Sequence, residues 1–241
     1  MNDTVSLLHS RKSVRVFTER EIPPECRRAI IACAMDAPTA GNQQLYTILD
    51  ITDPDLKKQL SVNCDNQPFI AKAPMVLIFC ADAQKWYDLY LCGGSAPRKP
   101  GAGDLMLAAA DAFIAAQNAV TAAWSMGIGS CYVGDVMEQC QANRELLHLP
   151  EYVFPAAMLV LGYPTDQQLA RPKPQRCRME DIVCENTYRR KTGDELRRMF
   201  DKETGTQSFE VWSRAFCDRK YNSDFSREMT RSVEEYLKSF R

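Results

Sequence analysis

Residues 104–127, DLMLAAADAFIAAQNAVTAAWSMG, constrain the fold of this chain more than any other segment. Nine of these 24 residues are alanine, and apolar side chains fall on nearly every face of a helix drawn through them. Length alone would let such a helix cross a membrane. Asp104, Asp111, Gln117 and Asn118 interrupt it, however, and its alanines allow other helices to come close. A buried central helix at a subunit interface is therefore expected, and no membrane partner.

The flanking sequence supplies what such a helix needs to pack against. Residues 22–36 open with Pro23 and Pro24 and carry Ile30, Ile31, Ala34 and Met35 on one stripe, which predicts a helix. A polar loop, PTAGNQQ at 38–44, leads to a strand over 45–52, and Asp53-Pro54 starts a short charged helix. Residues 74–82 and 156–163 are short continuous apolar runs of the kind that buried strands give. Between them, Gly127 and Gly129 end the Ala-rich helix ahead of an extended SCYV segment, and a charged helix is expected over 137–149. GGSAPRKPGAG at 93–103 reads as a mobile loop. Few strands separated by helices imply an α+β fold, one small sheet covered by helices.

Composition excludes several functions. The 241 residues hold 30 Lys+Arg against 31 Asp+Glu, too balanced for a general nucleic-acid binder. None of the ten cysteines forms a Cys-x-x-Cys pair, and His9 and His148 are the only histidines, so neither a metal site nor a Cys–His nucleophile is expected. The N-terminal residues show no apolar run of signal-peptide length, and reduced thiols in a cytoplasmic protein are expected. Residues 189–241 carry 13 basic and 10 acidic residues against 17 and 21 in residues 1–188. That shift divides the chain into a body over 1–188 and a helical C-terminal extension over 189–241.

Neither a Gly-x-Ser-x-Gly elbow, a His-Glu-x-x-His pair nor a Walker loop occurs, and GIGSCYVG lacks the dinucleotide spacing. Two basic clusters remain. Arg11-Lys12-Ser13-Val14-Arg15 precedes the first expected helix, and Arg171-Pro-Lys173-Pro-Gln-Arg176 follows the last buried strand. Guanidinium forks beside a serine hydroxyl suit phosphate oxygens, although each cluster alone also reads as a solvated patch.

The ordered set RKSVRVF at 11–17, APTAGNQQ at 37–44, Gln67 ahead of PFIAKAPMVLIFCAD, the Ala-rich helix, GIGSCYVG and KPQR resembles the FMN-dependent nitroreductase family. LLHLPEYVFPAAMLVLGYP at 146–164 and CENTY at 184–188 extend the resemblance over about residues 5–188. It is strongest to the oxygen-insensitive branch of NADPH nitroreductases and flavin oxidoreductases. The resemblance implies a three-layer α-β-α sandwich with a small, mostly antiparallel sheet and FMN at a homodimer interface.

It also implies site residues. Arg11, Lys12 and Ser13 match the cluster that holds the FMN phosphate and ribityl chain. Arg15 matches the catalytic cation at the flavin N1/O2 edge. Thr39, in place of a more usual serine, Asn42 and Gln44 match a loop that touches the ribityl chain or ring, in one reading from the partner subunit. Gln67, Pro68 and Phe69 match the pyrimidine edge, where an amide can meet O4 or N3. Tyr132, Val133, Gly134 and Asp135 match the segment under the ring. Lys173 and Arg176 match the second phosphate arm, which here is Lys-Pro-Gln-Arg where relatives have Lys-Pro-Arg. Cys184 stands where relatives commonly carry histidine.

The activity implied is reduction of nitroaromatics, quinones or other electron-poor small-molecule acceptors by NADPH or NADH in a ping-pong cycle. Dehalogenation or other flavin chemistry on the same fold, or non-catalytic FMN binding, are the alternatives.

Overall fold

The computed structural model describes residues 2–202 and 204–241. They divide into two compact units, one of residues 2–171 with Glu228–Arg241 and one of Pro172–Arg227. The first unit holds α1 (Asp3–Ser10), α2 (Pro24–Met35), β1 (Tyr46–Ile51), α3 (Pro54–Asn63), α4 (Pro68–Ala71) and β2 (Met75–Asp82). It continues through α5 (Gln84–Cys92), α6 (Ala102–Ser125), β3 (Gly129–Val133), α7 (Cys140–Leu146), β4 (Val153–Gly162) and α8 (Asp166–Ala170). The second unit holds α9 (Met179–Ile182), α10 (Gly193–Met199) and α11 (Phe209–Lys220), and the chain then runs into α12 (Asp224–Leu237).

The four strands form one sheet in the order β1-β2-β4-β3, antiparallel at every pairing. The central strands β2 and β4 are buried along their whole length, which explains why both read as unbroken apolar runs. Their side chains alternate between two cores, as strand geometry requires. Met75, Leu77, Phe79 and Ala81 of β2, with Leu159 and Leu161 of β4, meet the alanines of α6. Val76, Ile78 and Cys80, with Met158 and Val160, meet Leu60 of α3 and Ile70 of α4 on the opposite face. Helices on both faces make the three-layer sandwich.

The Ala-rich segment forms the core helix α6, with nine residues buried: Leu105, Ala108, Asp111, Ala112, Ala115, Ala116, Ala119, Val120 and Ala123. It still exposes Met106, Leu107, Phe113 and Ile114 on its other side. The end of the chain also belongs to this core. Tyr236 packs edge-on against Phe154 at 5.1 Å between ring centroids, and Phe240 against Tyr152 at 5.7 Å.

Helices α4, α5 and α8 lie outside the sequence expectation, and two further elements differ from it for a local reason. Helix α1 falls where none was read, capped by the Asn2 side chain, which accepts from Val5 N–H at 3.0 Å. The helix expected over 137–149 starts only at Cys140, because Gln139 adopts φ +50° and breaks it. Residues 134–137 form a tight 3-10 turn instead.

The second unit is stapled by an aromatic cluster and ion pairs. Trp212 packs on Phe200, Phe209 and Phe216 at centroid distances of 5.7, 5.9 and 5.2 Å. Arg189 grips Glu195 at 2.8 Å, and Arg178 grips Asp181 at 3.0 Å.

Candidate functional site

The first basic cluster is placed by a short pairing with β3. After α1 the chain turns extended, Ser13 bridges Ser130 in parallel, and Val14 N–H donates to Ser130 O at 2.9 Å. Val14 is fully buried, so its neighbours Ser13 and Arg15 project to the opposite side. Their side chains meet the thiol of Cys131, which is 1% exposed, and the Arg11 guanidinium is close enough to act on it. Burial pushes that thiol up, while Arg15 and Arg11 oppose the rise. Arg11 also acts on Tyr132, whose phenol burial pushes up to about 12. Arg11, Ser13 and Arg15 thus converge on one point of the sheet edge.

Lys12 serves another purpose here. Its ammonium donates to Leu169 O at 2.5 Å and Arg171 O at 2.6 Å, closing the C-terminal end of α8.

Gln67 caps α4 and lies beside the turn after β3. Its side-chain N–H groups donate to Cys64 O at 2.9 Å and to the Asp135 carboxylate. Both partners are acceptors, which fixes the amide orientation and leaves Oε1 as its accepting atom. Pro68 and Phe69 line a cavity of about 1000 Å³ together with Arg15. Arg20 and Arg27 line it too, but Arg20 stacks on Tyr163 at 3.8 Å and Arg27 grips Asp50 at 2.7 Å. Val133 is buried, Gly134 is exposed, and Asp135 is half-buried. The structure therefore gathers Arg11, Ser13, Arg15, Gln67, Pro68, Phe69 and residues 132–135 about the β3 edge.

The loop of Thr39, Asn42 and Gln44 sits elsewhere on α6. The buried carboxylate of Asp111, 3% exposed, accepts from Thr39 Oγ1, from Ala40 N–H at 3.1 Å and from Leu45 N–H at 3.1 Å. Thr39 Oγ1 accepts from Gln44 N–H at 2.8 Å in turn. Gly41, Asn42 and Gln44 all take positive φ, a left-handed course that this anchor holds in place. The basic cluster, by contrast, meets α6 near Trp124, whose indole N–H donates to Ser10 Oγ at 2.9 Å. Thirteen residues of helix separate Asp111 from Trp124, about 20 Å at the α-helical rise. Within one chain the loop and the cluster are well apart.

Lys173 and Arg176 belong to the second unit and are exposed. Two site residues went unread in the sequence. Asp111 showed there only as an interruption of the apolar helix, and Glu138 only as one charge in an expected charged helix. Glu138 is 4% exposed, and its carboxyl is pushed up to about 8 by burial first and by Asp135 and Asp65 next. Among the described residues, no cluster of His, Cys, Asp and Glu could hold a metal ion.

An α-β-α sandwich whose sheet edge gathers guanidinium groups, a hydroxyl and an amide is the architecture of a protein that holds an anionic, hydrogen-bonding ligand. Residues 8–163 match the nitroreductase family, and the chain belongs to that family. A relative in Bacillus subtilis, an FMN reductase (NADPH), is 30% identical over 246 residues, spanning 95% of this chain and 98% of that protein. The oxygen-insensitive NADPH nitroreductase of Salmonella typhimurium is 34% identical over 188 residues, 78% of this chain and 75% of its own. Among solved structures, the NADPH:FMN oxidoreductase of Vibrio harveyi complexed with NAD+ matches with a TM-score of 0.84 at 25% identity, covering 98% of each chain.

Proposed function

We propose that this protein is an FMN-dependent oxidoreductase that takes electrons from NADPH or NADH and passes them to an electron-poor acceptor such as a nitroaromatic or a quinone. The observation that carries this reading is the convergence of Arg11, Ser13 and Arg15 on Cys131, beside the Gln67–Asp135 pair, in a chain of this family. The donor set fits FMN. Guanidinium and hydroxyl groups suit its phosphate and ribityl chain, and a planar amide suits its pyrimidine edge. Bound FMN supplies two-electron transfer between donor and acceptor, which alternate in one space in a ping-pong cycle.

The residues of this chain bind and tune. Arg11 and Ser13 would hold the phosphate end. Arg15 places positive charge at the N1/O2 edge, where reduction of a flavin adds negative charge. Gln67 can only accept at Oε1, because its N–H groups serve Cys64 O and Asp135. Its partner on the pyrimidine edge is therefore the N3–H donor, and O4, an acceptor, is excluded. Residues 132–135 would lie under the ring.

Two copies make the site. Thr39, Asn42 and Gln44 lie about 20 Å along α6 from the basic cluster, too far to complete the same site within one chain. A partner subunit supplies them, and the exposed Met106, Leu107, Phe113 and Ile114 of α6 give the homodimer an apolar seam.

The absorption spectrum of the purified protein tests the reading most directly. Yellow protein, or protein that turns yellow and retains FMN through desalting, is expected. It should then oxidise NADPH or NADH with menadione or a nitroaromatic. Protein that stays colourless with added FMN would overturn the proposal.

A further inference from the structure

The turn after β3 contains a buried carboxyl oxygen that no donor serves. Glu138 is 4% exposed, and its buried Oε1 finds no hydrogen-bond donor. The Glu138 N–H donates to Asp135 O at 3.0 Å, so both carboxyls sit on one tight turn, and the group that meets Glu138 there is another acceptor, the Asp135 carboxyl. Two ionised carboxylates at that separation in a buried place repel strongly, so such a pair keeps one proton between them. Asp135 already accepts from the Gln67 amide. The proton then belongs on Glu138, the more buried of the two.

The surrounding groups point the same way. Asp65, after α3, faces Glu138 with like charge, and so does Glu228 of α12. Cys64, at the end of α3, is itself pushed up by burial and by Asp135 and Glu138. Arg231, the neighbouring cation, is held by Glu228 at 2.7 Å. The backbone carrying both carboxyls is tied down. Asn143 is fully buried and donates to Val136 O at 3.1 Å and Glu138 O at 2.8 Å, while its Oδ1 accepts from Asn63 at 2.8 Å.

We propose that Glu138 is a positioning residue: it keeps its proton at neutral pH, donates it to Asp135, and so holds Asp135 as the carboxylate that orients the Gln67 amide. The carboxyl pair stands on its own geometry, and its effect on the flavin rests on the function proposed above. When Glu138 loses its proton to solvent, the pair becomes doubly negative. Asp135 is driven from its place, Gln67 loses its orientation, and a second negative charge lies near the pyrimidine edge. Alkaline pH therefore weakens FMN binding and lowers the flavin midpoint potential beyond the ordinary pH slope.

Infrared spectra of the protein with and without added FMN test the proton itself. Wild type should show the carbonyl stretch of a buried, protonated carboxyl at neutral pH, and Glu138→Gln should lack it. Asp135→Asn should shift it without abolishing it, because burial and Asp65 still hold the proton while the carboxylate that accepts it is gone. The flavin readout is the FMN dissociation constant on either side of pH 8. It should rise about tenfold or more in wild type, whereas Glu138→Gln, a neutral donor of similar shape, should change less than about twofold. A carboxyl band that survives Glu138→Gln, or identical pH profiles for the two proteins, would overturn the proposal. Protein that binds no FMN at any pH but keeps the band would refute the flavin function and leave the proton assignment standing.

Discussion

Val14 occupies the space where a side chain on Gly129 would begin: a Cβ added at Gly129 would lie 2.6 Å from Val14 Cγ2 and 2.8 Å from Val14 Cβ. This close approach lets the extended segment after α1 lie against β3, with Ser13 and Arg15 meeting Cys131. Gly129→Ala should therefore cost about 1–3 kcal/mol, the usual cost of overpacking a tight core. The loss should reach the ligand site too, with FMN affinity falling several-fold while far-ultraviolet circular dichroism stays native. An alanine variant with unchanged urea midpoint and FMN affinity would show that the Val14 segment is not held where the structure puts it.

Asp111 gathers a whole loop onto α6. Removing its carboxylate strands two backbone N–H groups, those of Ala40 and Leu45, along with the Thr39 hydroxyl. Buried donors left unsatisfied cost about 1–3 kcal/mol each, so Asp111→Ala should destabilise by roughly 3–5 kcal/mol. Hydrogen exchange should quicken first in residues 39–45, ahead of the sheet. A uniform loss of protection across β2 and β4 would mean that the acid supports the core as a whole.

These two residues mark what the sequence could and could not disclose. Strands β2 and β4 were legible because both faces are buried, leaving an unbroken apolar run with no competing reading. Helix α6 was legible because its alanines extend over six turns. Asp111 was visible only as an exception within that helix, since a lone acid does not announce its partners, and these come from 66 to 72 residues away. Glu138 sat among Met, Gln and Cys in an expected helix, and nothing in the sequence signalled that Gln139 would turn left-handed and bury its neighbour. The basic residues were visible throughout. Their convergence with Gln67 depends on the sheet, whose register brings residues 11–15, 67–69 and 131–135 to one edge.

In the function proposed above, Arg15 contributes charge more than grip. Arg15→Ala should slow the reductive half-reaction about tenfold to a hundredfold, while FMN affinity falls only several-fold because Arg11 and Ser13 remain. Stopped-flow bleaching of the flavin absorbance by NADPH or NADH separates the two effects. A variant that releases FMN but reduces normally when reloaded would assign Arg15 to binding alone.

The thiols should fall into two reactivity classes. Burial pushes Cys80 up to about 12 and holds Cys64 and Cys131 above the usual thiol range. Cys33, Cys92, Cys184 and Cys217 are exposed. Because the thiolate is the nucleophile, iodoacetamide near neutral pH should modify the exposed group at least about tenfold faster than Cys64, Cys80 and Cys131. Peptide mapping after partial labelling reads the order directly. Early modification of Cys131 would show that Arg11 and Arg15 outweigh its burial.

Glu138 and Glu228 flank Gln139 and titrate in opposite directions. The Arg231 guanidinium, with Ser232 and the Gln139 N–H, holds Glu228 down at about 2, whereas burial and Asp135 lift Glu138 to about 8. The depressed acid contributes stability that is present above its unfolded pKa of about 4.3 and is lost as pH falls toward 2. The raised acid does the reverse: its contribution is complete below about 4.3 and is lost progressively between about 4.3 and about 8, where the unfolded chain has given up the proton that the folded one keeps. These two acids therefore place the maximum of unfolding free energy near about pH 4, with a fall on each side. Glu228→Gln should flatten the acid limb alone. Glu138→Gln should flatten the fall between about pH 4.3 and about pH 8, which is at most about 1.4 kcal/mol per pH unit. Urea titrations from acid to alkaline pH check both, and a Glu138→Gln variant that keeps the wild-type slope over that range would place that titration on another group.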